Sequence, residues 1–203
     1  MKKINNWLVG IDEVGRGPLA GPITLAVILC PKKDGKRIFK GIRDSKHLTP
    51  KSREEWFLRF KEHPRIFYRA TSIGAHIIDR RGISFAAKKC IERLLQNIGR
   101  PNWPKLRLGK KKSKILLDGG LSAPEHYFQE TIIKGDMRVP IISAASIVAK
   151  VIRDRKMVRL SRKFPEYELE IHKGYGTRLH QERIKKYGLS KIHRRSFCRN
   201  LLK

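Results

Sequence analysis

The sequence predicts an α/β protein with a mixed, partly antiparallel sheet flanked by helices. Three observations carry this. Two short apolar runs rich in branched residues, Trp7-Leu8-Val9 and Ile23 to Leu29, lie close together and are joined by a glycine-rich link too short for a crossover helix. Residues 83, 86, 87, 90, 91, 94, 95 and 98 are apolar and recur at the helix period. Beyond that helix, strand-like runs alternate with helical ones, as they do where helices cover a sheet.

Element by element, the first two strands are followed by a polar connection over 31–49 that contains Asp44-Ser45-Lys46. Pro50 to Glu62 carries Trp56, Phe57 and Phe60 at helical spacing, and Ile66 to Thr71 has the composition of a third strand. The Ile83–Ile98 helix is stopped by Pro101 and Pro104. Lys114 to Leu117 is a short apolar run ending in Asp118 and two glycines. Thr131-Ile132-Ile133 leads to Lys134-Gly135-Asp136, and Pro140 introduces a long helix reaching about Lys163. Trp7, Trp56 and Trp103 are expected in packing rather than in base stacking.

Composition points to a polyanionic partner. The 203 residues include 47 Lys and Arg against 18 Asp and Glu, a net charge of +29, far more than solubility needs. DNA and RNA are the default candidates because each neutralised phosphate releases counterions, and an anionic membrane surface is the lesser one. No apolar run is long enough to span a bilayer, and residues 1–6 do not resemble a signal peptide. Cys30, Cys90 and Cys198 are odd in number and widely spaced, as expected of free thiols in a reducing cytoplasm. Two basic clusters stand out, from Lys105 to Lys114 and beyond Glu182, where no acid follows.

Chemistry is concentrated where apolar runs end. Asp12 and Glu13 precede Gly15-Arg16-Gly17, Asp118 precedes Gly119-Gly120, and Asp136 follows Gly135. Carboxylates at the same end of an α/β sheet form a ligand site. A set of oxygen donors without His or Cys suits Mg²⁺ or Mn²⁺ better than Zn²⁺. Clustered acids repel, so at least one should have a raised pKa without metal, and metal affinity should fall at low pH. Successive strand residues face opposite ways, so Asp12 and Glu13 share one metal only if the chain bends or the metal approaches the strand edge. Gly15, Gly17 and Gly21 lack the Lys-Ser/Thr ending of a nucleotide-binding loop. Asp154 lies four residues after Lys150, a spacing natural to an ion pair, and stays outside the catalytic set. The seven histidines are scattered and offer no ligand pair.

Taken in order, Gly10 to Gly21, Asp44-Ser45-Lys46, Leu117-Asp118, Lys134-Gly135-Asp136, Ser143 to Asp154 and His172-Lys173-Gly174-Tyr175-Gly176-Thr177 resemble the motif series of bacterial ribonuclease HII, the type 2 ribonucleases H. Ile192 to Phe197 is similar to that family's closing segment, so the resemblance runs from about residue 7 to Phe197. It implies a ribonuclease H-like fold, a five-stranded mixed sheet flanked by helices, with a catalytic core over 1–163 and a small helical extension over 164–203 that helps hold the duplex. It also implies an endonuclease that cuts RNA/DNA hybrids and nicks duplex DNA 5′ to an embedded ribonucleotide, leaving 3′-hydroxyl and 5′-phosphate ends.

By the same resemblance, Asp12, Glu13, Asp118 and Asp136 are the catalytic carboxylates and hold two divalent ions when substrate is bound. Such ions, roughly 4 Å apart, supply a deprotonated water and stabilise the leaving oxygen. Gly15-Arg16-Gly17 reads the 2′-hydroxyl and holds the adjacent phosphate, Tyr175 stacks on the next sugar, and Lys46 and Lys173 contact phosphates. The implied enzyme is a cytoplasmic monomer. A sliding clamp is a conceivable partner, but the tail Cys198 to Lys203 shows no clamp-binding pattern. Two rivals remain open at this stage, a basic RNA-binding protein and a nuclease of the same fold acting on DNA junctions.

Overall fold

A computed structural model of the chain describes residues 7–42, 45–98, 103–104 and 113–201. Asp44, Pro101 and the basic cluster over 105–112 lie outside the described residues, as do both chain ends. Five strands, β1 (Trp7–Val14), β2 (Ile23–Pro31), β3 (Phe67–Ile73), β4 (Ile115–Asp118) and β5 (Gln129–Ile132), form one sheet in the order β3-β2-β1-β4-β5. β1, β2 and β3 pair antiparallel, while β4 lies parallel to both β1 and β5. The mixed sheet expected from the sequence is therefore present, and its antiparallel half is the N-terminal one.

Alternation along β1 and β2 divides the core into two layers. Val9, Ile11, Leu25 and Val27 point to one face, where they meet Ala87, Cys90, Ile91 and Leu94 of α4 (Ile83–Gln96). Ala26, Ile28 and Cys30 point to the other, where α6 (Pro140–Ser161) and α2 (Pro50–Glu62) cover them. With both faces covered, Ile23 to Cys30 are all buried and, apart from Thr24, whose hydroxyl pairs with that of Ser72 at 2.8 Å, apolar. From Ile141 to Ala149 every residue of α6 is buried, as in a helix enclosed on all sides. α2 starts where expected because the Thr49 hydroxyl accepts the Ser52 N–H at 3.1 Å and Pro50 fits the first turn. The three cysteines are free and buried, and the three tryptophans pack against Phe60 and Phe67.

Three features differ from the sequence reading. The polar connection contains a helix, α1 (Lys32–Ile38), which has no periodic apolar stripe; Gly35 lets it pack on Leu8, where a Cβ would lie 2.5 Å from a side-chain methyl. A second short helix, α3 (Ala75–Arg81), sits between Gly74 and Gly82 with only Ala75 and Ile78 buried, too short a stripe to show as periodicity. β1 continues to Val14, so Asp12 and Glu13 lie within the paired strand, opposite Ala26 and Leu25.

After α5 (Gly135–Arg138) and α6, the chain closes with α7 (Leu169–His172), α8 (Arg178–Tyr187) and single turns at 165–167, 195–197 and 199–201. Tyr167 and Leu169 form a small core with Ala20 and Met157, which ties this region to the link between β1 and β2. Among the described residues no helix is long and apolar enough to cross a membrane.

Three of the histidines that look scattered in sequence meet in this region. His172 and His180 stack with centroids 4.2 Å apart, and His180 Nε2 lies 3.2 Å from His193 Nε2. Their partners fix the protons. His180 Nδ1 faces the Tyr175 carbonyl at 2.9 Å and must carry hydrogen, whereas His193 Nδ1 accepts the Ser190 N–H at 3.0 Å. His193 therefore donates from Nε2 to His180 in the neutral state. Burial pushes both imidazoles down to about 4, from the ordinary 6.5.

The unfolded chain takes up protons at these positions near pH 6.5 and the folded chain only near pH 4, so their stabilising contribution is lost as pH falls through that window. Each histidine should lower stability by up to about 1.4 kcal/mol per pH unit there. NMR titration should find both rings still neutral at pH 5.5, and urea midpoints should fall from pH 7 to pH 5. Rings that titrate near their ordinary value would contradict the assignment.

Candidate active site

The acidic cluster follows from strand register. β1 and β4 run parallel with Ile11 beside Leu117, so one further step sets Asp12 beside Asp118 on the same face. Asp136 is delivered by the first turn of α5, where the N–H groups of Gly135 and Asp136 donate to Asp118 Oδ1 at 2.6 and 3.3 Å. The Ser143 hydroxyl donates to the Asp136 carbonyl at 2.5 Å and holds that turn against α6. One carboxylate oxygen from each of Asp12, Asp118 and Asp136 comes within 4.8 Å of the others.

Asp12 is 2% exposed. Burial pushes its carboxyl well above the usual range and the charges of Asp118 and Asp136 add to this, against hydrogen bonds from Ser146 and the Glu13 N–H. Asp118 is raised for the same two reasons, burial first and then Asp136. Lys46, at 2.8 Å from Asp136, offsets part of the negative charge. Three converging carboxylates held against their own charge preference fit a hard divalent cation, whose binding would relieve that repulsion.

Glu13 is placed apart. It projects from the face of β1 opposite to Asp12, as strand alternation requires, and Arg16 Nε binds its carboxylate at 2.7 Å. It still lines the same cleft, of about 290 Å³, together with Gly15, Arg16, Gly17, Lys46 and Tyr175. The two glycines of the turn differ in role. Gly15 has φ +86°, and a Cβ there would lie 2.2 Å from Arg153 Nε, so the fold requires glycine. A Cβ on Gly17 would meet nothing within 4 Å, which leaves open room beside the acids.

Tyr175 is 40% exposed, with Lys150 Nζ and Arg153 Cζ at 5.8 and 5.6 Å from its ring. Lys173 stands just outside the cleft. Its backbone is left-handed, its ammonium reaches the Glu170 carbonyl, and it borders a groove of about 510 Å³ also lined by Arg53, Arg155, Arg159 and Arg162. Lys150 and Asp154 pair at 2.8 Å, as the spacing predicts.

Sequence reasoning gave no individual role to Ser146, Arg153 or Arg194, and read Lys150 only as the ion-pair partner of Asp154. Ser143, Ser146, Lys150 and Arg153 make a polar stripe at helical spacing on the otherwise apolar stretch from Pro140 to Arg153, and that stripe was the available signal. Ser146 bonds Asp12 and, at 2.8 Å, Ser45.

Residues 9–200 match the family model described as ribonuclease HII. The chain belongs to the ribonuclease HII family. The ribonuclease HII of Caldicellulosiruptor bescii is 41% identical over 97% of this chain and 88% of its own length, and that of Coxiella burnetii is 40% identical over 95% and 89%. Among solved structures, the ribonuclease H2 of Pyrococcus horikoshii OT3 is similar with a TM-score of 0.73 and 27% identity, covering 96% of each chain. Ribonuclease HIII from Bst, solved with Mn²⁺, shares the fold at 19% identity with a TM-score of 0.66, over 91% of this chain and 63% of that one. Ribonuclease HII proteins are metal-dependent endoribonucleases of RNA/DNA hybrids, and the chain is an enzyme of that class.

Asp12→Asn should raise the melting temperature of the metal-free protein, because it removes a buried charge from a repelling cluster; about 2 to 4 °C is expected per kcal/mol relieved. Calorimetric titration of the same variant with Mn²⁺ should show weakened binding. For the unmodified protein, Mn²⁺ should bind more tightly at pH 8 than at pH 6, since protons compete for the raised Asp12 carboxyl. A lower melting temperature with unchanged Mn²⁺ binding would refute the cluster's assignment.

Proposed function

We propose that this ribonuclease HII cuts the phosphodiester 5′ to ribonucleotides, both in RNA/DNA hybrids and at a single ribonucleotide embedded in duplex DNA, leaving 3′-hydroxyl and 5′-phosphate ends. The observation that carries this reading is that Asp12, Asp118 and Asp136 face one cleft together with Gly15-Arg16-Gly17 and Tyr175. Acids alone would serve any phosphodiesterase. A glycine turn beside them gives a sugar edge close backbone contact, and the 2′-hydroxyl is what distinguishes a ribonucleotide from its neighbours.

Asp12, Asp118 and Asp136 would hold divalent ions, Mg²⁺ or Mn²⁺, with Glu13 completing the set when its pair with Arg16 opens. When bound, such ions would supply Lewis-acid activation of a water and charge stabilisation at the leaving oxygen. Ser146 keeps the Asp12 carboxylate oriented, and the Gly135 and Asp136 amides orient Asp118. Lys46, at the mouth of the cleft, meets the incoming phosphate. The exposed ring of Tyr175 stacks on the sugar that follows the ribonucleotide. Beyond it the groove bordered by Lys173, with Arg159 and Arg162, neutralises the continuing backbone.

The extension over 164–203 contributes Tyr175 and Lys173 and in this reading clamps the duplex against the core over 1–163.

On a labelled DNA duplex with one ribonucleotide and a divalent metal, we expect a nick 5′ to the ribonucleotide, none in an all-DNA duplex and none with EDTA. Asp12→Asn and Asp118→Asn should each reduce the rate by about a hundredfold or more. Cleavage of the all-DNA duplex or of a four-way DNA junction would overturn the reading. Tyr175→Ala should lower kcat/KM by roughly tenfold, the worth of one stacking contact. Arg159→Glu with Arg162→Glu should weaken duplex binding and flatten its salt dependence, by about one ion per residue.

A further inference from the structure

Arg153 and Arg194 are both 0% exposed, and every hydrogen bond they donate goes to a main-chain carbonyl. Arg194 reaches Gly15 O at 2.6 Å, Arg16 O at 2.8 Å and Gly21 O at 3.0 Å. Arg153 reaches Pro22 O at 2.9 Å, Lys173 O at 3.0 Å and Ala20 O at 3.3 Å. Burying a guanidinium is costly unless its donors are met, and here carbonyls of the segment from Gly15 to Pro22, with that of Lys173, meet them. The segment is held from the other side as well, by Leu19 N–H to Gly174 O at 2.8 Å and Arg194 N–H to Leu19 O at 2.7 Å.

A trans peptide is planar, with its N–H opposite to its C=O. When Arg194 draws the carbonyls of Gly15 and Arg16 inward, the N–H groups of Arg16 and Gly17 turn outward. Both residues are exposed, and among the described residues neither of these N–H groups donates within the protein. The buried positive charge also polarises the two peptides and makes those N–H groups better donors.

We infer that Arg194, backed by Arg153, is a positioning residue for ribose recognition: it fixes the Gly15-Arg16-Gly17 peptides so that two adjacent amides face the cleft and donate to the oxygen of the substrate's 2′-hydroxyl. This rests on the ribonucleotide-directed reading above. Lysine at 194 would keep the charge but lose the planar fork that serves three carbonyls together.

The test compares wild type with Arg194→Lys. In Arg194→Lys, kcat on the single-ribonucleotide duplex should fall on the order of a hundredfold. Affinity for Mn²⁺ and, in EDTA, for an all-DNA duplex should stay at the wild-type level. A folded variant that keeps wild-type kcat, or that loses Mn²⁺ affinity along with activity, overturns the inference. If Arg194→Lys does not melt cooperatively, the wild type decides by NMR. The Arg16 and Gly17 amides should exchange fast in the free enzyme and shift with the ribonucleotide-containing duplex but not with all-DNA duplex. Amides protected in the free enzyme, or shifted equally by both duplexes, overturn it too. Wild type that fails to nick the ribonucleotide duplex sinks the proposed function itself, whereas a wild type that nicks alongside an unimpaired Arg194→Lys sinks only this inference.

Discussion

At the start of α6 the carbonyl of Ile141 lies so near β1 that a Cβ on Gly10 would sit 2.5 Å from it, and only glycine leaves strand and helix at that distance. The approach brings the first turns of α6 over the end of β1 that carries Asp12. Four polar residues at helical spacing then each reach a different part of the site. Ser143 holds the Asp136 turn, Ser146 holds Asp12, Lys150 flanks Tyr175, and Arg153 grips the link between β1 and β2. One helix thus sets the relative position of the acids, the glycine turn and the Tyr175 ring. Its buried length transmits any shift at Gly10 to all of them.

Charge is partitioned between inside and outside. The chain carries +29 overall, yet its cleft gathers three aspartates whose burial and mutual repulsion raise at least two of them. A positive exterior attracts a polyanion, whereas the clustered carboxylates repel a phosphate at the centre unless cations neutralise them. The two buried arginines fit this division. Because their donors go to carbonyl oxygens, their charge is accommodated without spending a carboxylate that the cluster needs.

Much of this was legible in the sequence, and the parts that were not share a cause. The helices at Pro50–Glu62 and Pro140–Ser161, and the alternation that sends Asp12 and Glu13 to opposite faces, depend on local spacing. That Asp12 stands beside Asp118 depends on which residues of β1 and β4 pair, which no local pattern encodes. α1 packs where Gly35 meets Leu8, a contact made in space that no local pattern shows. His172, His180 and His193 look unrelated along the chain, since two turns of backbone bring them together. Arg194 was visible as a basic residue in the tail and in the segment 192–197 that resembles the family's closing motif, with no contact implied.

The clasp on the glycine turn also orders events in time. Arg194 and the carbonyls it grips are 173 to 179 residues apart in the chain. Such contacts close a loop of nearly the whole chain, and the carbonyls that Arg194 grips lie on the link held by β1, β2 and Arg153 of α6. As the polypeptide leaves the ribosome, the three aspartates emerge long before residue 194 does. The residues of the acidic cluster are thus made first, and the arginine that clasps the glycine turn nearly last.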